Sequence, residues 1–123
     1  MLSLDHIVLA APDLERAVED FAQSTGVRPV EGGPHPGGGT RNALVSFGDG
    51  AYLEIIAPDP AQEMAGTNGA RFERLERAEL LHWALRCDDL KQLGLELKGA
   101  GYVPGAILDM ARRAPDGLSL IHI

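Results

Sequence analysis

Leu4–Asp5–His6–Ile7–Val8–Leu9 stands near the start of the chain, and Leu80–Leu81–His82–Trp83–Ala84–Leu85 restates it further on. Laid one on the other, Leu4, His6, Leu9, Asp13 and Leu14 fall on Leu80, His82, Leu85, Asp89 and Leu90. With one residue dropped from the helical stretch that follows, Gly26 and Pro29 fall on Gly101 and Pro104. An internal repeat means one supersecondary unit used twice, so it takes precedence over any local reading. It also sets two histidines, His6 and His82, on equivalent strands.

Each half can be followed outward from its histidine. Leu4 to Ala11 is short, rich in Leu, Ile and Val, and closed by Pro12, the pattern of a buried strand. Asp13 sits where a helix cap is expected, and Glu15 favours the helix dipole. Leu14, Ala17, Val18, Phe21 and Ala22 then recur at helical spacing until Gly26. Val27 to Glu31 is expected to be a short strand, and the glycine-rich Gly32 to Gly39 a loop. Arg41 to Phe47 and Ala51 to Ala57 read as strands joined by the hairpin signal Gly48–Asp49–Gly50. The segment 59–79 is a connector, with an exposed helix expected over Arg71 to Ala78. The first theme then returns: strand Leu80–Cys87, helix from Asp89, a stop at Gly99–Gly101, a strand from Tyr102, the turn Ala114–Pro115–Asp116–Gly117, and a strand from Leu118. The order predicts an α+β domain over 1–123 with module one at about 4–58 and module two at 80–123. An equal second module would need one more strand, so module two is expected to be incomplete.

Composition narrows the function classes. The chain has 123 residues, enough for one domain with a real core, and 45% hydrophobic against 24% charged residues is ordinary for a globular protein. Its net charge of −7 and lack of Lys/Arg clusters exclude a phosphate-backbone partner, so no nucleic acid is expected. The single cysteine, Cys87, fits a reducing compartment, and no apolar run approaches the ~20 residues of a membrane span. A cytoplasmic protein without a membrane partner is expected.

Repeated strand–helix–strand–strand–strand modules, each opening on a histidine-bearing strand, resemble the vicinal oxygen chelate superfamily, which includes glyoxalase I, extradiol dioxygenases and fosfomycin-resistance proteins. Leu4–Asp5–His6–Ile7–Val8–Leu9, His35–Pro36–Gly37–Gly38–Gly39–Thr40–Arg41–Asn42–Ala43–Leu44 and Tyr52–Leu53–Glu54–Ile55–Ile56–Ala57 are similar, more narrowly, to the glyoxalase-like domain family within it. The resemblance covers the chain to about Gly117; Ser119 to Ile123 departs from it. It implies paired βαβββ modules curling into a cup-shaped half-barrel, with helices outside and a divalent metal held from first and last strands. Carried over, the metal positions are His6, His82 and Glu54. The matching acid of module two would lie beyond Ile123.

The residues themselves support more than one chemistry. Strand alternation puts His6, Val8 and Ala10 on one face, and Tyr52, Glu54 and Ile56 together on another strand. Two imidazoles and a carboxylate on facing strands suit Zn²⁺, Ni²⁺, Mn²⁺ or Fe²⁺. The same histidines suit half-buried strand positions with hydrogen-bonded rings, and Glu54 suits an ion pair with Arg41 or Arg86. His35, in the glycine-rich loop, is a candidate acid or base beside backbone N–H groups able to nest an anion. The loop lacks the Lys and helix start of a nucleotide site, so no nucleotide cofactor is expected. Asn42, Tyr52 and Ser46 are candidates to line the cup, and Arg86 to grip a carboxylate or to close a salt bridge. Trp83 reads as core, and Cys87, beside Asp88 and Asp89, as an unreactive thiol.

Two classes of function follow. One is a metal-dependent enzyme of the glyoxalase type, acting on a small oxygenated metabolite by lyase, isomerase or dioxygenase chemistry, with His35 and Glu54 as catalytic groups. The other is a metal-free module that sequesters a small-molecule ligand, alone or across a homodimer; an inactive fragment with an open sheet edge is the remaining alternative.

Overall fold

The computed structural model describes residues 2–114 and 117–122, with side chains described through residue 108. The chain forms two compact units, Leu4–Leu85 and one made of Met1–Ser3 with Arg86–Ile123. Among the described residues no helix is long and apolar enough to cross a membrane.

The Leu4–Leu85 unit is built on one mixed sheet. Strand β1 (Ser3–Ala10) leads through Asp13 into helix α1 (Leu14–Thr25). The Asp13 carboxylate accepts the Arg16 N–H at 3.1 Å, and the Gly26 N–H closes on the Ala22 carbonyl at 2.8 Å from a left-handed φ of 76°. Strands β2 (Val30–His35), β3 (Thr40–Ser46) and β4 (Tyr52–Pro58) form an antiparallel meander. The chain then returns through α2 (Asn68–Phe72) to β5 (Glu79–Arg86). The strand order is β2-β3-β4-β1-β5, with β1 parallel to β4.

Period-two alternation divides this sheet by chemistry. Ala43, Val45, Leu53, Ile55 and Ala57 are buried with Leu14 and Ala17 of α1, and Ile7, Leu9, Val18 and Phe21 pack around them. Fully burying one such Ile or Leu stabilises the fold by about 1.5–3 kcal/mol, so these residues fix which face meets α1. The register places the other set on the opposite face: His6, Val8 and Ala10 on β1, Tyr52, Glu54 and Ile56 on β4, Thr40, Asn42, Leu44 and Ser46 on β3, and His35 on β2.

Several elements differ from expectation. Strand β2 begins at Val30 and runs through His35, so half of the expected glycine loop is strand. A bulge between Glu31 and Gly33 absorbs the extra residue. Its middle residue, Gly32, lies so close to the Asn42 carboxamide that a β-carbon would overlap it. The connector helix is Asn68–Phe72, capped by Thr67, ahead of the expected Arg71–Ala78. Strand β5 ends the strand order, and Trp83 there is 64% exposed, not core.

In the other unit, α3 (Leu90–Gly99) repeats the cap of α1, with the Asp89 carboxylate accepting the Gln92 N–H at 3.0 Å. Residues 102–108 form no strand. Strands β6 (Asp109–Ala114) and β7 (Gly117–His122) pair with each other as a separate two-stranded antiparallel sheet. Pro115 and Asp116 of the expected turn lie outside the described residues. The α+β class is therefore as expected, but the five-stranded sheet contains module one and only the first strand of module two.

Candidate active site

The turn after β2 sets up the site. His35 ends β2, residues 36–39 turn with the Gly38 N–H donating to the His35 carbonyl at 3.0 Å, and Thr40 starts β3 directly opposite His35. The connector holds this turn from behind. Gln62 accepts the Gly39 N–H at 3.2 Å and donates to the Thr40 carbonyl at 3.1 Å and to Asp59 at 2.9 Å. The Asp59 N–H donates to the Gly39 carbonyl at 2.9 Å, and the Gly69 N–H to the Gly38 carbonyl at 3.3 Å. Asp59 is buried and also accepts the Ala61 N–H at 3.0 Å. The Gln62 hydrogen bond, then the Ala61 N–H, and to a lesser degree the charge of Arg41 hold its carboxyl below the usual range. The expected anion nest is thus closed, since the Gly38 and Gly39 N–H groups have protein partners.

On the face away from α1, four side chains meet. Asn42 Nδ2 donates to Glu54 Oε2 at 2.7 Å and lies 3.1 Å from His35 Nε2; His35 Nε2 and Glu54 Oε2 are 3.4 Å apart. His35 Nδ1 is 2.9 Å from the hydroxyl of the buried Thr40. The carboxylate of Glu54 requires that Asn42 turn its NH₂ toward it, which makes His35 Nε2 an acceptor when the ring is neutral. Nδ1 then carries the proton and donates to Thr40. When the ring is protonated, Nε2–H faces Glu54 instead. The cluster therefore accommodates both states of the imidazole.

Two residues along β4, His6 stacks on Tyr52, its register partner, with ring centroids 4.9 Å apart and planes 13° from parallel. His6 Nδ1 is 2.7 Å from Asp5 Oδ2, which fixes Nδ1 as the protonated nitrogen.

His35, Asn42 and Glu54 are thus brought together, and Tyr52 stands with His6. The metal positions are not. Among the described residues no three His, Cys, Asp or Glu side chains are placed to share a metal ion, so His6, Glu54 and His82 do not form one donor set. His82 is exposed and lines an apolar cleft of ≈ 500 Å³ with Leu4, Ile7, Leu80, Leu81 and Trp83. Arg86 closes β5. Nor does Glu54 pair with Arg41, which crosses to α1 and reaches Glu15 at 2.8 Å. The sequence reading missed Thr40, Asp59, Gln62 and Gly69. Only the glycine-rich run before Thr40 hinted that another backbone approaches there.

The chain has the sheet order of a βαβββ module with an appended strand, the architecture of the vicinal oxygen chelate fold. Residues 4–122 match the glyoxalase-like domain, and the chain belongs to that family. No curated protein matches it. Among solved structures it is similar to methylmalonyl-CoA epimerase from Mycobacterium tuberculosis at 25% identity and TM-score 0.60, covering 93% of this chain and 73% of that one. It is also similar to the Streptomyces coelicolor methylmalonyl-CoA epimerase solved with 2-nitronate-propionyl-CoA, at 22% identity and TM-score 0.59, covering 96% and 86%. A hypothetical protein from Staphylococcus aureus superposes at TM-score 0.71 and 22% identity, covering 98% of this chain and 50% of that one.

Proposed function

We propose that this glyoxalase-like protein is a proton-transferring isomerase or lyase of small oxygenated metabolites, with Glu54 and His35 as its acid–base pair. The observation that carries this is Asn42, whose one amide nitrogen reaches both Glu54 (2.7 Å) and His35 (3.1 Å). Glu54 Oε2 is occupied by that contact, while Oε1 accepts no hydrogen bond from a described residue. Oε1 takes a proton from the carbon beside a substrate carbonyl. The C–H electron pair becomes the enol double bond, the carbonyl pair moves to oxygen, and that oxygen takes the Nε2 proton of the His35 imidazolium. Neutral His35 is then held by the Asn42 amide. Reversal at the neighbouring carbon gives the isomer and restores both groups. Such a positioned pair supplies about 10²–10⁴-fold. Among the described residues no three side chains are placed to share a metal ion, so no step is routed through one.

The test is solvent-deuterium incorporation, read by NMR, into small hydroxycarbonyl compounds such as hydroxyacetone. Wild-type protein should exchange the protons beside the carbonyl, and His35→Ala and Glu54→Gln should lose at least about 100-fold. Equal exchange by both variants overturns the proposal.

A further inference from the structure

His6 stands on the same face as the acid–base groups and takes no part in the chemistry above. On β1 it lies opposite Tyr52 of β4, and Val8 lies opposite Glu54. His6 is therefore one strand across and two residues along from Glu54. With strands about 4.8 Å apart and a rise of about 3.3 Å per residue, the roots of the two side chains are about 8 Å apart. His35 reaches Glu54 from the other direction, its Nε2 3.4 Å from Oε2. Glu54 thus stands between two imidazoles.

The neighbours of His6 decide what its ring can offer. Its Nδ1 is 2.7 Å from Asp5 Oδ2, and the ring stacks on Tyr52 with centroids 4.9 Å apart. An ionised Asp5 can only accept, so Nδ1 carries the proton and Nε2, the nitrogen farther from the backbone, keeps its lone pair. Among the described residues the bond to Asp5 is the one hydrogen bond His6 makes. Its side chain is 20% exposed, so the ring is held and partly desolvated yet still reachable.

The two ends of the site then differ in kind. The His35 imidazolium donates, and the neutral His6 ring accepts at Nε2. A carbonyl oxygen, which only accepts, belongs at His35; a hydroxyl, which can donate, belongs at His6. Two hydrogen bonds of about 2.8 Å with a two-carbon unit between them span a gap of this size, and that unit then lies over Glu54.

We infer that His6, oriented by Asp5 and Tyr52, anchors the hydroxyl group of the substrate and so selects hydroxycarbonyl compounds over simple ketones. The inference rests on the acid–base reading of the same face, which sets the carbonyl at His35.

Hydroxyacetone and acetone share the methyl ketone and differ in the hydroxyl, so they isolate this contact. Binding of each to the full chain is followed by amide chemical-shift titration at Asn42, Tyr52 and Glu54. Wild-type protein should bind hydroxyacetone about tenfold more tightly than acetone, the worth of one well-made hydrogen bond. His6→Phe keeps a ring against Tyr52 and removes both nitrogens; it should bring the two ligands within about threefold, and His6→Ala should do the same. Comparing both ligands in both proteins cancels the hydration of the hydroxyl itself. Parity in the wild type overturns the inference, as does binding of neither ligand. Discrimination kept in His6→Phe overturns the role given to Nε2, whether or not His6→Ala loses it. Deuterium exchange is scored in the same samples: discrimination without exchange removes the acid–base pair and leaves the anchor, and exchange without discrimination removes the anchor alone.

Discussion

Gly39 and Gly69 meet backbone to backbone: a β-carbon on Gly69 would overlap the Gly39 carbonyl, and the Gly69 N–H donates to the neighbouring Gly38 carbonyl. A contact between strictly backbone atoms cannot be relieved by a rotamer change. Gly69→Ala should therefore destabilise the fold by about 1–3 kcal/mol and move His35, lowering proton exchange more than the stability loss alone explains. Thermal melts and exchange rates on the same samples check both parts.

Gln62 holds the turn by its side chain, accepting from Gly39 and donating to Thr40 and Asp59. Gln62→Ala leaves the Gly39 N–H and the Thr40 carbonyl without these partners, at a cost of about 1–3 kcal/mol each where water does not replace it. Exchange should slow with little change in ligand affinity, because Gln62 acts through His35 and Thr40. A change confined to affinity would refute this positioning role.

Asn42→Asp places a second carboxylate against Glu54. Two such groups sharing one site cannot both ionise readily, so one of them titrates at higher pH. Exchange at neutral pH should fall by about 100-fold and its pH profile should move, whereas Asn42→Ala should lower the rate without that displacement.

Asp59 offers a test of acid stability. Its carboxyl lies below the usual range in the fold, so the stability it contributes is present above the unfolded pKa near 3.9 and is lost as pH falls through the lower folded value. Denaturant midpoints of the wild type should drop over that window, and those of Asp59→Asn should drop less while starting lower. Glu19, held low by Arg28, works in the same direction but is exposed, so its removal should change little.

Proton exchange should survive exhaustive chelation of the protein. Full loss on chelation with recovery on adding Zn²⁺ or Ni²⁺ would show that His6, Glu54 and His82 converge on a metal in solution, contrary to their placement here.

Much of this was legible in the sequence for physical reasons. The repeat fixed two equivalent strand–helix pairs, and Asp13 and Asp89 cap their helices alike. Alternation sorted His6 and Glu54 from Ile7 and Ile55 because only one face could be buried against α1. The His35 loop was misread because glycine signals both turns and close approach. At Gly32 the reason is the Asn42 carboxamide, and at Gly69 a distant backbone, neither visible in a local window. Among the described residues His6, Glu54 and His82 are not brought together, because equivalence in a repeat gives matching strand positions, not convergence in space.

The buttress behind His35 changes where this molecule can be cut. The repeating module ends near Pro58, and it carries every side chain of the proposed acid–base pair. Asp59, Gln62, Thr67 and Gly69, which hold the turn, all lie past that end. The unit that duplicates is thus shorter than the unit that works. A transplanted module would bring the reactive groups to a new host and leave their alignment behind, so grafts meant to carry the chemistry should extend through Phe72.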